Sequence, residues 1–125
     1  MPFDWTDYIT FSEDLLNSRS DEASLRSAIS RAYYGAFGKI RPYCTSRFNI
    51  SSKKLPDVHR TLIDHLKNSS DQLEYATGNY LSDLRESRND ADYDSHSTIN
   101  KPLVKKALDK SKLIVENLKV LKASL

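Results

Sequence analysis

Residues that make tight turns are scarce in this chain, which has three glycines and four prolines among 125 residues. A fold of many strands needs many turns, and glycine and proline are the residues that most often supply them. Their scarcity therefore argues against a many-stranded β fold. Hydrophobic residues make up 38% and charged residues 29% of the chain, a mixture typical of a folded domain with one modest core. We expect a single domain over residues 1–125.

Cysteine occurs once, at Cys44, so the chain can form no internal disulfide. A lone cysteine favours a reducing, cytoplasmic environment. Arg41 and Arg47 flank the thiol and could lower its pKa. Because no histidine is near it in sequence, we do not expect Cys44 to be a nucleophile.

Long apolar runs are also missing from the sequence. No stretch approaches the roughly 18 consecutive apolar residues of a membrane span. The N-terminal segment, Met-Pro-Phe-Asp-Trp, lacks the basic and apolar regions of a secretory signal. Neither a membrane span nor a secretory signal is predicted.

Positive and negative charges nearly balance over the whole chain, which has a net charge of +2. This net charge does not by itself indicate a nucleic-acid partner. The distribution is less even, since residues 101–125 hold seven lysines against Asp109 and Glu116, a local excess of five positive charges. A solvated helix face is the common explanation of such a pattern. A docking surface for an anionic partner is the alternative.

Apolar residues recur at helical spacing along the whole chain, which predicts an all-α bundle of four or five helices. The second and last helices are expected to be long. Polar loops are predicted at residues 45–55 and 94–100, with a break at 68–71. The predicted helices cover residues 4–18, residues 21 to about 44, the segment from Pro56-Asp57 to the break, the segment from the break past Arg88, and the segment from Asn100 onward.

Small side chains on the second predicted helix should let another helix approach it closely. They are Ala28, Ala32, Gly35, Ala36 and Gly38.

Two stretches resemble the start of known ligand-binding loops, but each lacks a required part. Residues 90–94 open like a calcium loop, yet its sixth and twelfth positions hold Ser95 and Lys101 instead of glycine and glutamate. Residues 35–39 contain two glycines and a lysine, but no strand precedes them, as a phosphate loop would require. We predict neither a calcium nor a phosphate loop.

The two histidines in the middle of the chain do not form a metal pair. His59 and His65 are six residues apart and do not share a helix face. We predict that they are surface or capping residues, and we expect no metal and no cofactor.

The most informative residue is an arginine on an apolar stripe. Leu81 and Leu84 recur at helical spacing, and Arg88 continues their face. A guanidinium on a packing face must be paired or must bind an anion. Asp92, one turn further on, could simply pair with it. Alternatively, Arg88 faces an equivalent helix across a dimer, where two converging guanidinium groups could bind a phosphate bidentately.

A second cluster lies in the second predicted helix. Tyr33 and Phe37 share one face, and we predict that both belong to the core. Arg31 and Tyr34 are three residues apart and should lie side by side. An arginine beside a phenol suits contacts to a phosphate and a base, although most such pairs are structural.

Together, two stretches resemble the HEPN domains of prokaryotic defence and toxin–antitoxin systems. The first reads Ser-Ala-Ile-Ser-Arg-Ala-Tyr-Tyr-Gly-Ala-Phe over residues 27–37, and the second reads Leu-Arg-Glu-Ser-Arg-Asn-Asp-Ala-Asp-Tyr-Asp over residues 84–94. The resemblance covers nearly the whole chain, including the number of helices and the long last helix. It implies a helical bundle that forms a homodimer, in which two arginine-containing motifs face each other across a cleft. It also implies a partner, because such domains are often encoded with a small nucleotidyltransferase that acts as antitoxin.

Many HEPN domains are metal-independent ribonucleases, and their motif is an arginine followed, after four to six residues, by a histidine. In that chemistry the ribose 2′-OH attacks the adjacent phosphodiester, the arginine stabilises the phosphate charge and the histidine transfers a proton. Arg88 and Asn89 match the opening of the motif, Tyr93 stands in the place of the histidine, and His96 follows later. A phenol is a poorer proton shuttle than an imidazole at neutral pH.

The resemblance therefore implies candidate catalytic residues Arg88, Asn89, Tyr93 and His96. Candidate residues for binding RNA or a nucleotide are Arg31, Tyr34 and Asp92.

Two hypotheses follow for the function. In the first, the chain is a HEPN-like homodimer, the toxin or effector of a defence pair, which binds RNA or a nucleotide at a cleft around Arg88 and, if it cleaves RNA, does so without a metal. In the second, it is a catalytically inactive helical interaction module. Its apolar faces and lysine-rich last helix then recruit a nucleotidyltransferase-type partner, and Arg88 is structural.

Overall fold

The computed structural model describes residues 2–51 and 57–125, and most of these residues are helical. Within these ranges there are five helices and no strand. They are α1 (Thr6–Ser18), α2 (Glu22–Arg47), α3 (Val58–Lys67), α4 (Gln72–Tyr93) and α5 (Lys101–Ala123). The two longest are α2, with 26 residues, and α5, with 23 residues. The all-α bundle and its long second and last helices are confirmed.

Most helices begin at the residue where the sequence places a capping side chain. The side chains of Asp21, Asp57, Asp71 and Asn100 each accept a hydrogen bond from a backbone N–H of the following helix. These bonds satisfy donors that a helix end otherwise leaves unpaired. The loop predicted at residues 94–100 is confirmed.

The end of α2 differs from the prediction. The helix passes through Pro42 and continues to Arg47, whereas the sequence places its end near residue 44. Pro42 has no N–H, so the carbonyl of Gly38 lacks its usual helical donor. The loop predicted over residues 45–55 therefore starts later. Residues 52–56, with the predicted helix start at Pro56, lie outside the described residues.

Helix α2 lies at the centre of the bundle and packs against α1, α4 and α5. A Cβ atom added to Gly35 would lie 2.7 Å from Cγ1 of Ile9, so the close helix approach predicted for this face is confirmed. Two buried hydroxyl groups also bridge the helices. Ser12 donates to the carbonyl of Ala28 over 2.6 Å, and Ser111 donates to the carbonyl of Ala32 over 2.8 Å.

A buried carboxylate connects the start of α4 to the end of α2. Glu74 is 1% exposed, and it accepts hydrogen bonds from Tyr43 (2.6 Å) and Ser69 (2.5 Å). It also pairs with the guanidinium of Arg47 at 3.0 Å. Each carboxylate oxygen therefore has partners, as a buried charge requires.

The thiol of Cys44 lies in the core of the fold. It is completely buried, and burial raises its pKa to about 12. The lowering of this pKa that Arg41 and Arg47 could cause does not occur, because desolvation dominates and Arg47 pairs with Glu74. The conclusion that Cys44 is not a nucleophile stands.

The lysines of α5 lie largely in ion pairs with neighbouring acids. Lys105 pairs with Asp109 at 3.3 Å, and Lys110 pairs with Asp83 at 3.6 Å. This favours the solvated-face explanation of the positive excess. None of the described helices is long and apolar enough to cross a membrane.

Candidate functional site

The C-terminal half of α4 meets α2 through the side chain of Arg88. This residue is 6% exposed, so its predicted position on a packing face is confirmed. Its guanidinium carbon lies 5.3 Å, 5.4 Å and 5.7 Å from the ring centroids of Tyr33, Tyr34 and Tyr93, respectively. Cation–π contacts of this length hold the charge in place without neutralising it.

The predicted ion pair between Arg88 and Asp92 forms, but it is long. A terminal nitrogen of Arg88 lies 3.7 Å from Oδ2 of Asp92, and the hydroxyl of Ser30 donates to the same oxygen over 3.2 Å. A charge-assisted hydrogen bond is normally shorter than 3 Å. The Nε of Arg88 is buried and has no hydrogen-bond partner in the described part of the chain; Nε of Arg85 shares this property, but the terminal nitrogen of Arg85 is bonded to Asp57 at 3.0 Å. The guanidinium therefore keeps an unused capacity to bind an anion.

Arg31 and Tyr34 lie side by side, as predicted. The guanidinium carbon of Arg31 is 5.1 Å from the ring centroid of Tyr34 and 4.9 Å from that of Tyr8. Arg31 also contacts the hydroxyl of Ser30 at 3.4 Å, and Ser30 in turn reaches Asp92. Five of the candidate residues thus belong to one cluster. They are Arg31, Tyr34, Arg88, Asp92 and Tyr93.

Two candidate residues lie apart from this cluster. Asn89 is exposed and lines a depression between α3 and α4 together with Arg60 and Arg85. His96 is exposed in the loop after α4, where its backbone N–H donates to Asp94 over 2.9 Å. Tyr93 is also exposed, at 77%, but unlike Asn89 and His96 it belongs to the cluster, because its ring approaches Arg88.

Arg26 positions the end of α4 that carries Asp92 and Tyr93. One of its terminal nitrogens donates to the carbonyls of residues 90, 91 and 94, and the other donates to the carbonyl of Ser97 over 2.5 Å. A cation at a helix C-terminus pairs the free carbonyls and opposes the helix dipole. The last turn of α4 is therefore tied to α2.

His59 is a member of the site that sequence reasoning missed. The prediction that it is a surface or capping residue is wrong, because its ring is half-buried and stacks on Phe37 with a centroid distance of 4.0 Å. Its Nδ1 lies 2.6 Å from the hydroxyl of Tyr33. A signal was present, because His59 continues the buried face of Leu62 and Ile63 at helical spacing. His65, in contrast, is exposed.

The imidazole of His59 is held in its neutral state by its surroundings. Burial raises the pKa of Tyr33 above its usual range, so the phenol keeps its proton, and its hydroxyl shares a hydrogen bond with Nδ1 of His59. Burial also lowers the pKa of His59 to about 4, and the charges of Arg85 and Arg88 add to this effect. The ring is therefore neutral at pH 7.

The free energy of unfolding should fall as the pH drops from about 6.5 toward 4. In this window the unfolded chain takes up a proton on His59 that the folded chain does not, since the pKa of His59 is about 4 in the fold. After allowance for partial exposure, we expect a loss of about 2 kcal/mol. Urea unfolding at several pH values measures it, and His59→Gln should flatten the slope.

The matched control is His65→Gln, which removes an exposed histidine from the same helix. This variant should keep the wild-type slope. Parallel curves for the wild type and His59→Gln would show that the fold does not hold His59 neutral.

The cluster can bind an anion, offer aromatic surface to a flat ring and accept or donate a proton, but it is not arranged to hold a metal ion. No group of three or more His, Cys, Asp or Glu side chains in the described residues could hold one.

Comparison of the chain with protein-family models, with curated proteins and with solved structures finds no match. The function must therefore be argued from the residues themselves.

Proposed function

We propose that this chain is a HEPN-like effector of a defence or toxin–antitoxin pair, and that it binds RNA or a nucleotide at a cleft centred on Arg88. One observation carries the proposal. The two stretches on which the resemblance rests, 27–37 and 84–94, pack against each other, and Arg88 is the residue that joins them. They are far apart in sequence, so this meeting is a property of the fold.

The cluster has the chemistry to bind a phosphodiester. A phosphate near Arg88 can take up the free Nε and a terminal nitrogen in a bidentate pair stronger than the long contact to Asp92. Arg31 adds a second cation beside Tyr34. The rings of Tyr34 and Tyr93 offer surfaces on which a base can stack. Because Tyr93 is largely exposed, its ring can turn aside and open the way to Arg88.

A homodimer is part of the proposal. One chain supplies a single buried guanidinium at the cleft, and a second copy facing it would supply another. Two such groups around one phosphate would bind it more tightly than either alone, because each adds charge-assisted hydrogen bonds. Sedimentation of the purified protein should therefore give a dimer, and added RNA should not dissociate it.

The same cluster could support metal-independent cleavage of RNA. Arg88 would stabilise the charge on the phosphate, and Tyr93 beside it or His96 in the adjoining loop would transfer the proton. The test is incubation of RNA with the protein in EDTA, with analysis of the product ends. We expect 2′,3′-cyclic phosphate ends and no cleavage by Arg88→Met. Full cleavage by a folded Arg88→Met variant would contradict the assignment of the site.

Two further variants assign the proton transfer. If Tyr93→Phe loses cleavage and His96→Ala keeps it, the proton transfer is assigned to the phenol beside Arg88. The reverse result assigns it to His96 and requires the loop after α4 to move toward the cleft.

A specific observation favours the second candidate, a catalytically inactive interaction module. Phe3 and Phe11 are about half exposed and Trp5 is 39% exposed, which gives the N-terminal region an aromatic surface suited to a protein partner such as a nucleotidyltransferase. A thermal-shift titration with RNA oligomers separates the candidates. Only the first predicts a rise in melting temperature that is lost in Arg88→Met.

A further inference from the structure

A cavity of about 290 Å³ lies beside the Arg88 cluster, between the N-terminal residues, α2 and α3. This volume is close to the lower end of the range for small-molecule sites, which begins at about 300 Å³. Its lining is mainly aromatic. The residues around it are Trp5, Tyr34, Phe37, Gly38, Arg41, Pro42 and His59.

The lining also holds a cation that is not neutralised. The guanidinium carbon of Arg41 lies 5.8 Å from the ring centroid of Phe37. No carboxylate of the described residues lies within ion-pair distance of Arg41 or Arg31, whereas every other arginine of the chain has such a partner. Arg41 is therefore free to bind an anionic group.

Two further polar groups belong to residues that line the cavity, Gly38 and His59. The carbonyl of Gly38 lacks its helical donor because Pro42 has no N–H, so it can accept a hydrogen bond. Nδ1 of His59 is taken by Tyr33, which leaves Nε2 as the ring nitrogen that can form a hydrogen bond with a ligand. A cation, a carbonyl acceptor and an imidazole nitrogen thus lie among aromatic rings.

The position of the indole ring depends on a glycine. A Cβ atom at Gly38 would lie only 2.2 Å from Cδ2 of Trp5, so no other residue at this position lets the indole pack as it does. The stacked pair of His59 and Phe37 supplies a second flat surface, 4.0 Å between centroids. Flat aromatic surfaces therefore line the cavity.

We propose that this cavity binds one unstacked nucleobase, with the adjacent phosphate on Arg41. The inference rests on the proposed RNA-binding function and names its substrate class as single-stranded RNA, because a base inside a duplex cannot enter a pocket without being unstacked. Tyr34 connects the two sites, since its ring lines the cavity and lies 5.4 Å from the guanidinium carbon of Arg88. The base in the cavity and the phosphate at Arg88 belong to neighbouring nucleotides.

The tryptophan in the lining provides a direct readout. Trp5 is the only tryptophan of the chain, so its fluorescence reports on the cavity without a label. We expect uridine and adenosine monophosphates, and a short single-stranded RNA, to quench it saturably. Arg41→Gln should weaken nucleotide binding by about tenfold or more, the loss expected for a charge-assisted hydrogen bond.

The matched control is Arg19→Gln, which removes the same charge before the start of α2, about 24 Å along that helix from Gly38. It should bind as the wild type does. Equal quenching in the wild type and a folded Arg41→Gln variant overturns the inference. Equal binding of inorganic phosphate alone, or of benzoate, overturns the nucleobase assignment.

Arg88→Met separates this inference from the proposed function. Quenching by mononucleotides that persists in Arg88→Met supports a base site that does not need Arg88. RNA binding could instead depend on Arg88 without quenching Trp5 and without responding to Arg41→Gln. That result overturns the cavity site and leaves the proposed function standing.

Discussion

Replacement of Arg88 with methionine is expected to weaken RNA binding by at least about a hundredfold and to leave the fold intact. The binding loss follows from the removal of a bidentate, charge-assisted contact to phosphate, worth about 3 kcal/mol. The fold should survive because methionine fills the space of the arginine stem and removes a buried Nε that has no partner in the described residues. Fluorescence anisotropy with a labelled oligomer and thermal unfolding measure the two effects.

The matched control is Arg85→Met on the same helix. The Nε of Arg85 is also buried without a partner in the described residues, but its terminal nitrogen donates two hydrogen bonds to Asp57, at 3.0 Å and 3.2 Å. Its loss should therefore lower stability and leave RNA affinity nearly unchanged. The opposite pattern for Arg88, a loss of stability with unchanged RNA affinity, would make it a structural residue paired with Asp92.

Replacement of Glu74 with alanine is expected to lower the free energy of unfolding by about 3 kcal/mol. The change removes the acceptor of the buried Tyr43 hydroxyl and of Ser69, and it takes away the partner of Arg47. A buried donor without an acceptor costs its full desolvation free energy. Urea unfolding followed by circular dichroism measures the loss.

Glu86→Ala is the matched control, because it removes an exposed glutamate from the same helix. It should change the free energy of unfolding by less than about 0.5 kcal/mol. If Glu74→Ala lost no more than this control, the buried network would contribute nothing to stability. RNA affinity should be the same in both variants.

The two buried charges of α4 differ in how completely they are paired. Both oxygens of Glu74 accept hydrogen bonds from neighbouring side chains. Arg88 has one long ion pair, three aromatic neighbours and an unpaired Nε. A fully paired buried charge is explained by the fold itself. An incompletely paired one needs another explanation, and such departures concentrate at functional sites.

Much of the fold was predictable because its determinants are local. A capping side chain and the apolar spacing after it define a helix start within a few residues, and the starts after Asp21, Asp71 and Asn100 follow this rule. The burial of Arg88 and its pairing with Asp92 were predictable for the same reason, since both follow from spacing on one helix.

The remaining parts of the site depend on contacts between distant segments. His59 enters the site only because α3 packs its buried face against Phe37, and Arg26 caps a helix end more than sixty residues further along the chain. Spacing within one helix carries no information about such partners. The extension of α2 from about residue 44 to Arg47 was missed because the polar segment over residues 45–55 was predicted to be a loop from its first residue, whereas its first three residues continue the helix.

The central claim is that the guanidinium of Arg88 binds the phosphate of an RNA or nucleotide. The most direct measurement is a proton–nitrogen correlation spectrum of the arginine Nε groups, with the Arg88 signal assigned by its absence from Arg88→Lys. Addition of an RNA oligomer should move the Arg88 signal to the position typical of a phosphate-bound guanidinium, while that of Arg47, which is paired with Glu74, stays in place. An Arg88 signal that does not move at saturating RNA would contradict the account.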